Sequence, residues 1–210
     1  MPVYTYLTVT PWKPLVDNQC LIIPTAHYSC TVSLDEDVYD EMRIWRKGLV
    51  AMWKADDKDC IFVETVKNAK HRRHMAVECI PVPMEIGETA PIYFKKAIDE
   101  SETEWSHNKK LIDLAKKSGD IRKAIPKGFS YFAVDFGLQA GYAHIIEDEG
   151  HFPNYFAHEI IGGMLDLHPN TWRKSETLST ESQIANAKRL KQQWMPFDWT
   201  ERVKSSISAQ

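Results

Sequence analysis

The sequence predicts an α+β protein in which helices pack on an antiparallel sheet. Residues 3–9, 19–23 and 60–66 are rich in β-branched, aromatic and aliphatic side chains, which is typical of strands. Between the last two of these segments, apolar side chains recur every three or four positions, as in a helix. These side chains are Val38, Met42, Trp45, Leu49 and Met52. Two strands, a helix and then more strands favour a sheet with its helix on one face.

The ends of the predicted elements follow from local signals. Ser33 stands three residues before Glu36, the spacing of a capping box, so we expect a helix over residues 34–54. A further strand is predicted over residues 74–80, ended by Pro81 and Pro83. Residues 84–91 are expected to form a loop and a boundary.

The second half of the chain predicts another α+β unit. A long helix is expected over residues 91–117, with an acidic first half and a basic second half that complement its dipole. Two strands and two helices should follow, at 131–136, 142–146, 158–165 and 181–195. We therefore divide the chain into residues 1–90 and residues 91–210, with the second unit packed on the first.

Composition excludes several classes of protein. The 210 residues are 43% hydrophobic and include 7 Trp, so the chain is not disordered throughout. Its apolar runs are too short for a membrane span, and no membrane contact is expected. A net charge of −3 excludes a uniformly basic nucleic-acid coat. The scattered Cys20, Cys30, Cys60 and Cys79 indicate reduced thiols. We expect the chain to be a piece of a longer protein.

The segment from His74 to Pro81 is the candidate site. On a strand, alternate residues share a face, so His74, Ala76 and Glu78 should point the same way. A basic loop precedes them and could neutralise a phosphate-bearing ligand. The loop residues are Lys70, His71, Arg72 and Arg73. The alternative is a solvated basic turn beside a partly buried histidine.

Two family resemblances bear on this segment. Residues 14–15, 19–27 and 74–81 resemble the histidine-triad (HIT) fold. Active members carry H-x-H-x-H, whose middle histidine attacks a nucleotidyl phosphate. Here the first position is His74, the middle is Ala76 and the last is Glu78. The resemblance implies a HIT-like antiparallel sheet, with residues 91–210 as a family-specific extension.

The second resemblance is more specific. Its segments are residues 88–102, 105–112, 126–128 and 141–148, and they resemble CwfJ-type, or Cwf-nineteen-like, splicing factors. The likeness spans about residues 4–200 as two consecutive modules. It implies a nuclear protein of late, intron-lariat spliceosomes. The implied partners are spliceosomal proteins, intron-lariat RNA and the lariat-debranching enzyme.

The chemistry of the altered triad predicts binding without turnover. A covalent nucleotidyl intermediate needs a nucleophile, and Ala76 offers only a methyl group. Glu78 would add negative charge where a phosphate should lie. We therefore expect no catalytic residue and no cofactor, and a non-catalytic RNA- or RNP-binding module. The alternatives are a HIT-type nucleotide hydrolase or transferase with an altered centre, and a structural adaptor.

Histidines elsewhere are weaker candidates. His27 joins the phosphate-site residues, and with His74 it could form half of a zinc site. A structural zinc site needs four ligands, so two unmetallated histidines are favoured and no metal is predicted. His144, near Glu147 and Asp148, is interpreted as structural.

A second basic stretch could contact an RNA backbone. Its residues are Lys109, Lys110, Lys116, Lys117, Arg122, Lys123 and Lys127. The alternative is a solvated helix end. Because the second unit would cover the surface that a partner protomer uses in HIT dimers, we expect a monomer.

Overall fold

The computed structural model describes residues 3–67, 73–101, 111–174 and 176–200. Seven strands in these ranges form one antiparallel sheet. They are β1 (Thr5–Val9), β2 (Cys20–Pro24), β3 (Lys58–Val66), β4 (Val77–Pro83), β5 (Ile112–Asp113), β6 (Tyr131–Phe136) and β7 (Gln139–Ile145). Their order across the sheet is β1-β2-β4-β3-β6-β7-β5. The α+β prediction and its antiparallel sheet are confirmed.

Five α-helices accompany the sheet in the described residues. They are α1 (Glu36–Lys54), α2 (Met84–Glu100), α3 (Phe156–Met164), α4 (Asn170–Arg173) and α5 (Thr180–Trp194). Three of them confirm the predicted helices near 34–54, 158–165 and 181–195. None of the described helices has both the length and the apolar character that crossing a membrane requires.

Strand β3 joins the two halves of the chain. Its Val63 pairs with Glu78 of β4 on one side and with Val134 of β6 on the other. The strands of both halves therefore belong to one hydrogen-bonded sheet. Helix α2 runs through residues 90 and 91, where the division between the units was predicted.

Each face of the sheet buries its own apolar cluster. On one face, α1 places Trp45, Leu49 and Trp53 against Cys20 and Phe62. On the other face, α2 and α3 cover strands from both halves of the chain. This second cluster includes Ile61, Ile80, Phe94, Ile98, Phe132 and Ile161. Because period-2 alternation sends successive strand residues to opposite faces, both faces of β3 are apolar and buried.

The predicted capping box at the start of α1 is wrong. Asp35 is the residue before the first turn, and no side chain caps the helix there. The Ser33 hydroxyl donates instead to the Cys30 carbonyl at 2.7 Å, within a 3₁₀ turn. A hydroxyl committed to the preceding turn is not available to the helix N-terminus.

The loop predicted over residues 84–91 is also wrong, because α2 begins at Met84. Gly87 allows the helix to pack closely on the sheet. A Cβ atom at Gly87 would lie 2.5 Å from the Cβ atom of Asp59. Pro91 lies in the second turn of α2, where it costs one backbone hydrogen bond.

The helix predicted over residues 91–117 ends at Glu100. Residues 102–110 lie outside the described part, and beyond them Ile112–Asp113 is a strand and Leu114–Lys117 a 3₁₀ turn. Asp113 accepts a hydrogen bond from the Ala115 amide and so stabilises that turn. The helical prediction for residues 111–117 is therefore wrong.

Strand β4 continues through both prolines that were expected to end it. Pro81 pairs with Cys60 and Pro83 pairs with Lys58. The pairing with β2 involves residues 77–79 of β4, so Pro81 lies beyond that neighbour. A proline is tolerated where the strand edge does not need its N–H group.

Candidate ligand-binding cleft

A cleft of about 970 Å³ opens beside the N-terminal end of α3. Strands β1 to β4 contribute one wall, and the apolar side chains Leu21, Ile23 and Val63 lie along it. Charged and polar side chains from segment 73–78 and from α3 also line the cleft, together with Trp12 and Gln183. The cleft therefore combines an apolar wall with a polar one.

The sequence-predicted site residues partly meet here. Arg73, His74, Ala76 and Glu78 all line the cleft. The expected strand over residues 74–80 is wrong at its start, because β4 begins at Val77 and residues 73–76 are irregular. Lys70, His71 and Arg72 lie outside the described residues.

His74 is fixed by the end of β2. Its Nε2 atom lies 2.7 Å from the carbonyl oxygen of Pro24. Since a carbonyl only accepts, Nε2 carries the hydrogen in this arrangement. The His27 ring packs edge-on against the His74 ring, with 5.2 Å between centroids. His27 is thus a neighbour of a cleft residue, while the cleft wall itself is formed by His74.

Glu78 is held by two side chains from distant parts of the chain. Gln19 donates from Nε2 to Oε1 of Glu78, and His158 of α3 lies 2.8 Å from Oε2. The Gln19 side-chain oxygen accepts in turn from the Leu15 amide at 2.7 Å. Both carboxylate oxygens therefore have donors inside the protein.

His158 lines the cleft but was not predicted as a site residue from the sequence. It was predicted only as the start of a short helix. Its side chain is 19% exposed and that of Glu78 is 15% exposed. Burial lowers the pKa of His158, but the hydrogen bond and the negative charge of Glu78 outweigh burial, and the pKa is raised overall. The two residues are 80 positions apart, so no local spacing could signal the pair.

Lys67 adds a cation at the end of β3. Its Nζ atom donates to the carbonyl oxygen of Phe152 and lies 5.9 Å from the centre of the Phe152 ring. Burial lowers the pKa of Lys67, while the nearby charges of Glu149 and Asp148 partly offset this. With Arg73, it makes the polar wall of the cleft cationic.

The second predicted basic group lies apart from the cleft. Lys116, Lys117, Lys123 and Lys127 are exposed, and Lys109 and Lys110 lie outside the described residues. Arg122 differs, because its guanidinium binds Glu36 and Asp120 and lies 3.8 Å from the centre of the Tyr39 ring. Its bonds to these two carboxylates raise the pKa of Arg122.

The remaining candidates concern metals and the buried His144. Among the residues that the structure describes, no three His, Cys, Asp or Glu side chains are grouped to hold a metal ion. The four cysteines are buried free thiols. His144 is buried and stacks on Phe152 at 5.7 Å between ring centroids. This placement in the aromatic core fits its structural interpretation.

Comparison with known proteins identifies the family. Residues 3–95 match the family described as "Protein similar to CwfJ C-terminal", and residues 104–200 match "Protein similar to CwfJ C-terminus 2". The chain belongs to the CwfJ C-terminal family. Both family modules are present in order, as the sequence resemblance implied. His74, Ala76 and Glu78 lie in the first CwfJ module, and His158 lies in the second.

Individual relatives agree with the CwfJ assignment. The CWF19-like protein 2 homolog of Caenorhabditis elegans is 54% identical over 96% of this chain and 43% of its own length. The human CWF19-like protein 2 is 51% identical over 94% of this chain and 22% of its own length. The pre-mRNA-splicing factor cwf19 of Schizosaccharomyces pombe is 33% identical over 93% of this chain and 32% of its own length. The chain thus spans less than half the length of these relatives.

Proposed function

We propose that this chain is a non-catalytic RNA- or RNP-binding module of a nuclear pre-mRNA splicing factor. Relatives that align with more than nine-tenths of the chain include a protein named as a pre-mRNA-splicing factor. A binding role needs a surface suited to RNA, and the described cleft offers one. Its cationic wall suits a phosphate group, and its apolar wall suits a base.

The observation that supports this proposal is the set of side chains that surround Ala76 in the cleft. Lys67, Arg73 and His74 line it together with that methyl group. In the HIT-like interpretation, Ala76 occupies the position from which an imidazole would attack phosphorus. The cations and hydrogen-bond donors can bind a phosphodiester, but the position of Ala76 provides no nucleophile to cleave it. The cleft therefore favours binding over cleavage.

The finer assignment places the module in the late, intron-lariat spliceosome. Its partners would be spliceosomal proteins, intron-lariat RNA and the lariat-debranching enzyme, and the module would act as a monomer. An adaptor role, in which the second module docks protein partners, belongs to the same proposal. These assignments rest on the family resemblance.

A salt titration of RNA binding tests the proposal. The full chain is compared with a triple variant, Lys70→Ala, Arg72→Ala and Arg73→Ala. Loss of three phosphate contacts should weaken binding and reduce the slope of log affinity against log salt by about 2. The matched control replaces the exposed Lys47, Lys54 and Lys188 by Ala, which removes the same charge elsewhere. Equal affinity and slope in the two triple variants would refute the proposal.

A nucleotide hydrolase or transferase is the second candidate. The His158–Glu78 contact favours it, because an imidazole oriented by a carboxylate is the usual form of a general base. This candidate predicts turnover of an adenylated dinucleotide and a covalent nucleotidyl adduct visible by mass spectrometry. It also predicts loss of turnover in His74→Ala and His158→Ala. If neither an adduct nor turnover is detected, this second candidate is refuted and the binding role is supported.

A further inference from the structure

We propose that His158, supplied by the second module, is the residue that contacts the ligand phosphate in the cleft of the first module. Glu78 would position its ring, so that RNA binds more tightly when His158 is protonated. This inference rests on the proposed RNA-binding function and deepens it. Both modules would then contribute residues to the binding site.

The tautomer of His158 determines which ring nitrogen can bind a ligand phosphate. Nε2 donates to Oε2 of Glu78 at 2.8 Å, because a carboxylate can only accept. The proton that the ring gains on charging is therefore carried by Nδ1. A charged His158 offers one donor to Glu78 and a second to another acceptor. A phosphate oxygen is the acceptor that a charge-assisted bond of this kind favours.

The hydrogen-bond network behind Glu78 fixes the ring. Gln19 is 2% exposed and joins Glu78 to the Leu15 amide. Glu78 itself lies between its strand partners Leu21 and Val63. A carboxylate held in a central strand and bonded at both oxygens has little freedom to move. The imidazole that binds it is pre-organised at the cleft wall, which lowers the entropic cost of binding.

The other charged groups around His158 determine its electrostatic surroundings. On its own helix, Glu159 accepts from Arg173 at 2.8 Å. From the neighbouring segments, Lys67, Arg73 and His74 line the same cleft. Glu64 follows Val63 on β3, so its carboxyl group lies on the opposite face of the sheet, where it accepts from the Tyr131 hydroxyl and the Thr31 amide.

The balance of these groups favours an anionic ligand when His158 is charged. Among the described side chains that line the cleft, the negative charge of Glu78 is opposed by three cations, Lys67, Arg73 and protonated His158. Asp148 and Glu149 act on Lys67 from outside that lining. The raised pKa of His158 supports the presence of the imidazolium form near neutral pH. Affinity for RNA should therefore decrease as pH rises through that pKa.

The test measures binding of a short fluorescein-labelled oligouridylate to the full chain between about pH 5.5 and about pH 8.5. Wild-type binding should weaken about tenfold from the low to the high end of this pH range, because one charge-assisted contact is lost when His158 loses its proton. His158→Gln should remove most of this pH dependence and bind at every pH as the wild type does at high pH. Glu78→Gln should shift the midpoint to lower pH, because the charge that favours imidazolium is gone. His168→Gln, at an exposed position outside the cleft, should behave as the wild type.

The outcomes separate this inference from the proposed function. RNA binding that keeps its full pH dependence in His158→Gln overturns the role of His158 and leaves RNA binding intact. A pH-independent wild type also overturns it. Absence of RNA binding by the wild type at any pH overturns the proposed function itself. If His158→Gln does not fold, NMR titration of the wild-type His158 ring decides, since bound RNA should raise its pKa and an unchanged pKa refutes the contact.

Discussion

Nε2 of His158 lies 2.8 Å from Oε2 of Glu78, and this contact joins helix α3 of the second CwfJ module to strand β4 of the first. Strand β3 joins the modules through backbone pairing, with β4 on one side and β6 on the other. The side-chain contact adds a titratable link at the candidate cleft.

The His158–Glu78 pair should make stability depend on pH. Because the pKa of His158 is raised in the folded state, its stabilising contribution is fully present below the unfolded value of about 6.5. The contribution is lost as pH rises through the folded pKa. We expect His158→Gln to lower the free energy of unfolding by more at about pH 5.5 than at about pH 8.5. Urea unfolding at both pH values measures this difference, and an equal loss of stability at the two pH values would contradict it.

Two adjacent glycines in α3 should respond oppositely to alanine. A Cβ atom at Gly162 would lie 2.3 Å from Cζ3 of Trp172, whereas one at Gly163 would meet nothing within 4 Å. Gly162→Ala should cost about 2 kcal/mol, because the indole of α4 must shift. Gly163→Ala should be neutral or stabilise by up to about 1 kcal/mol, since alanine favours helix. Equal melting temperatures for the two variants would contradict the close packing of α3 on Trp172.

A salt bridge between α1 and β6 should contribute measurably to stability. Arg46 Nη1 lies 2.6 Å from Asp135 Oδ2, with side chains 24% and 21% exposed. Asp135→Ala should cost about 2 kcal/mol, because it leaves a largely buried guanidinium without this partner and the Gly141 amide without its acceptor. The matched control is Asp40→Ala, whose partner Arg43 is 58% exposed. The control should cost less than about 0.5 kcal/mol in chemical denaturation.

Glu41 should be needed for the position of β1. This buried carboxylate accepts from the Tyr4 amide at 3.0 Å and the Thr5 amide at 2.7 Å. Glu41→Ala should cost about 2 kcal/mol and speed amide hydrogen exchange in β1, since two backbone donors lose their acceptor. Glu88→Ala, at an exposed position of α2, should leave both measurements unchanged. Slow exchange in β1 of the Glu41 variant would show that this carboxylate is dispensable.

The elements with strong periodicity were predictable from the sequence. The helix around Trp45 and Leu49 and the strands on either side of it follow from apolar spacing, which local sequence records directly. The errors fall where a short-range signal competes with packing. Residues 84–91 were expected to form a loop, yet α2 begins there because the helix buries Phe94 and Ile98 against the sheet.

Only the part of the candidate site that lies in the first module was predictable from the sequence. His74, Ala76 and Glu78 lie close in sequence, so a strand pattern brings them to one region. His158 and Gln19 reach Glu78 through the fold, at separations of 80 and 59 positions. Sequence spacing cannot encode such contacts, because they depend on how α3 is placed on a sheet assembled from both modules.

Strand β3 pairs with strands of both modules, so removing one module disturbs the other. Truncation is therefore a poor way to map where a protein partner docks. A shortened chain without residues 91–200 would lose β6, and β3 would become an unprotected edge. The same cut would strip α3 and much of α2 from Ile61, Val63 and Ile80, exposing them to water. Failure of such a fragment to capture a spliceosomal protein would then reflect collapse or aggregation, so point substitutions on the intact surface are the sound way to locate the contact.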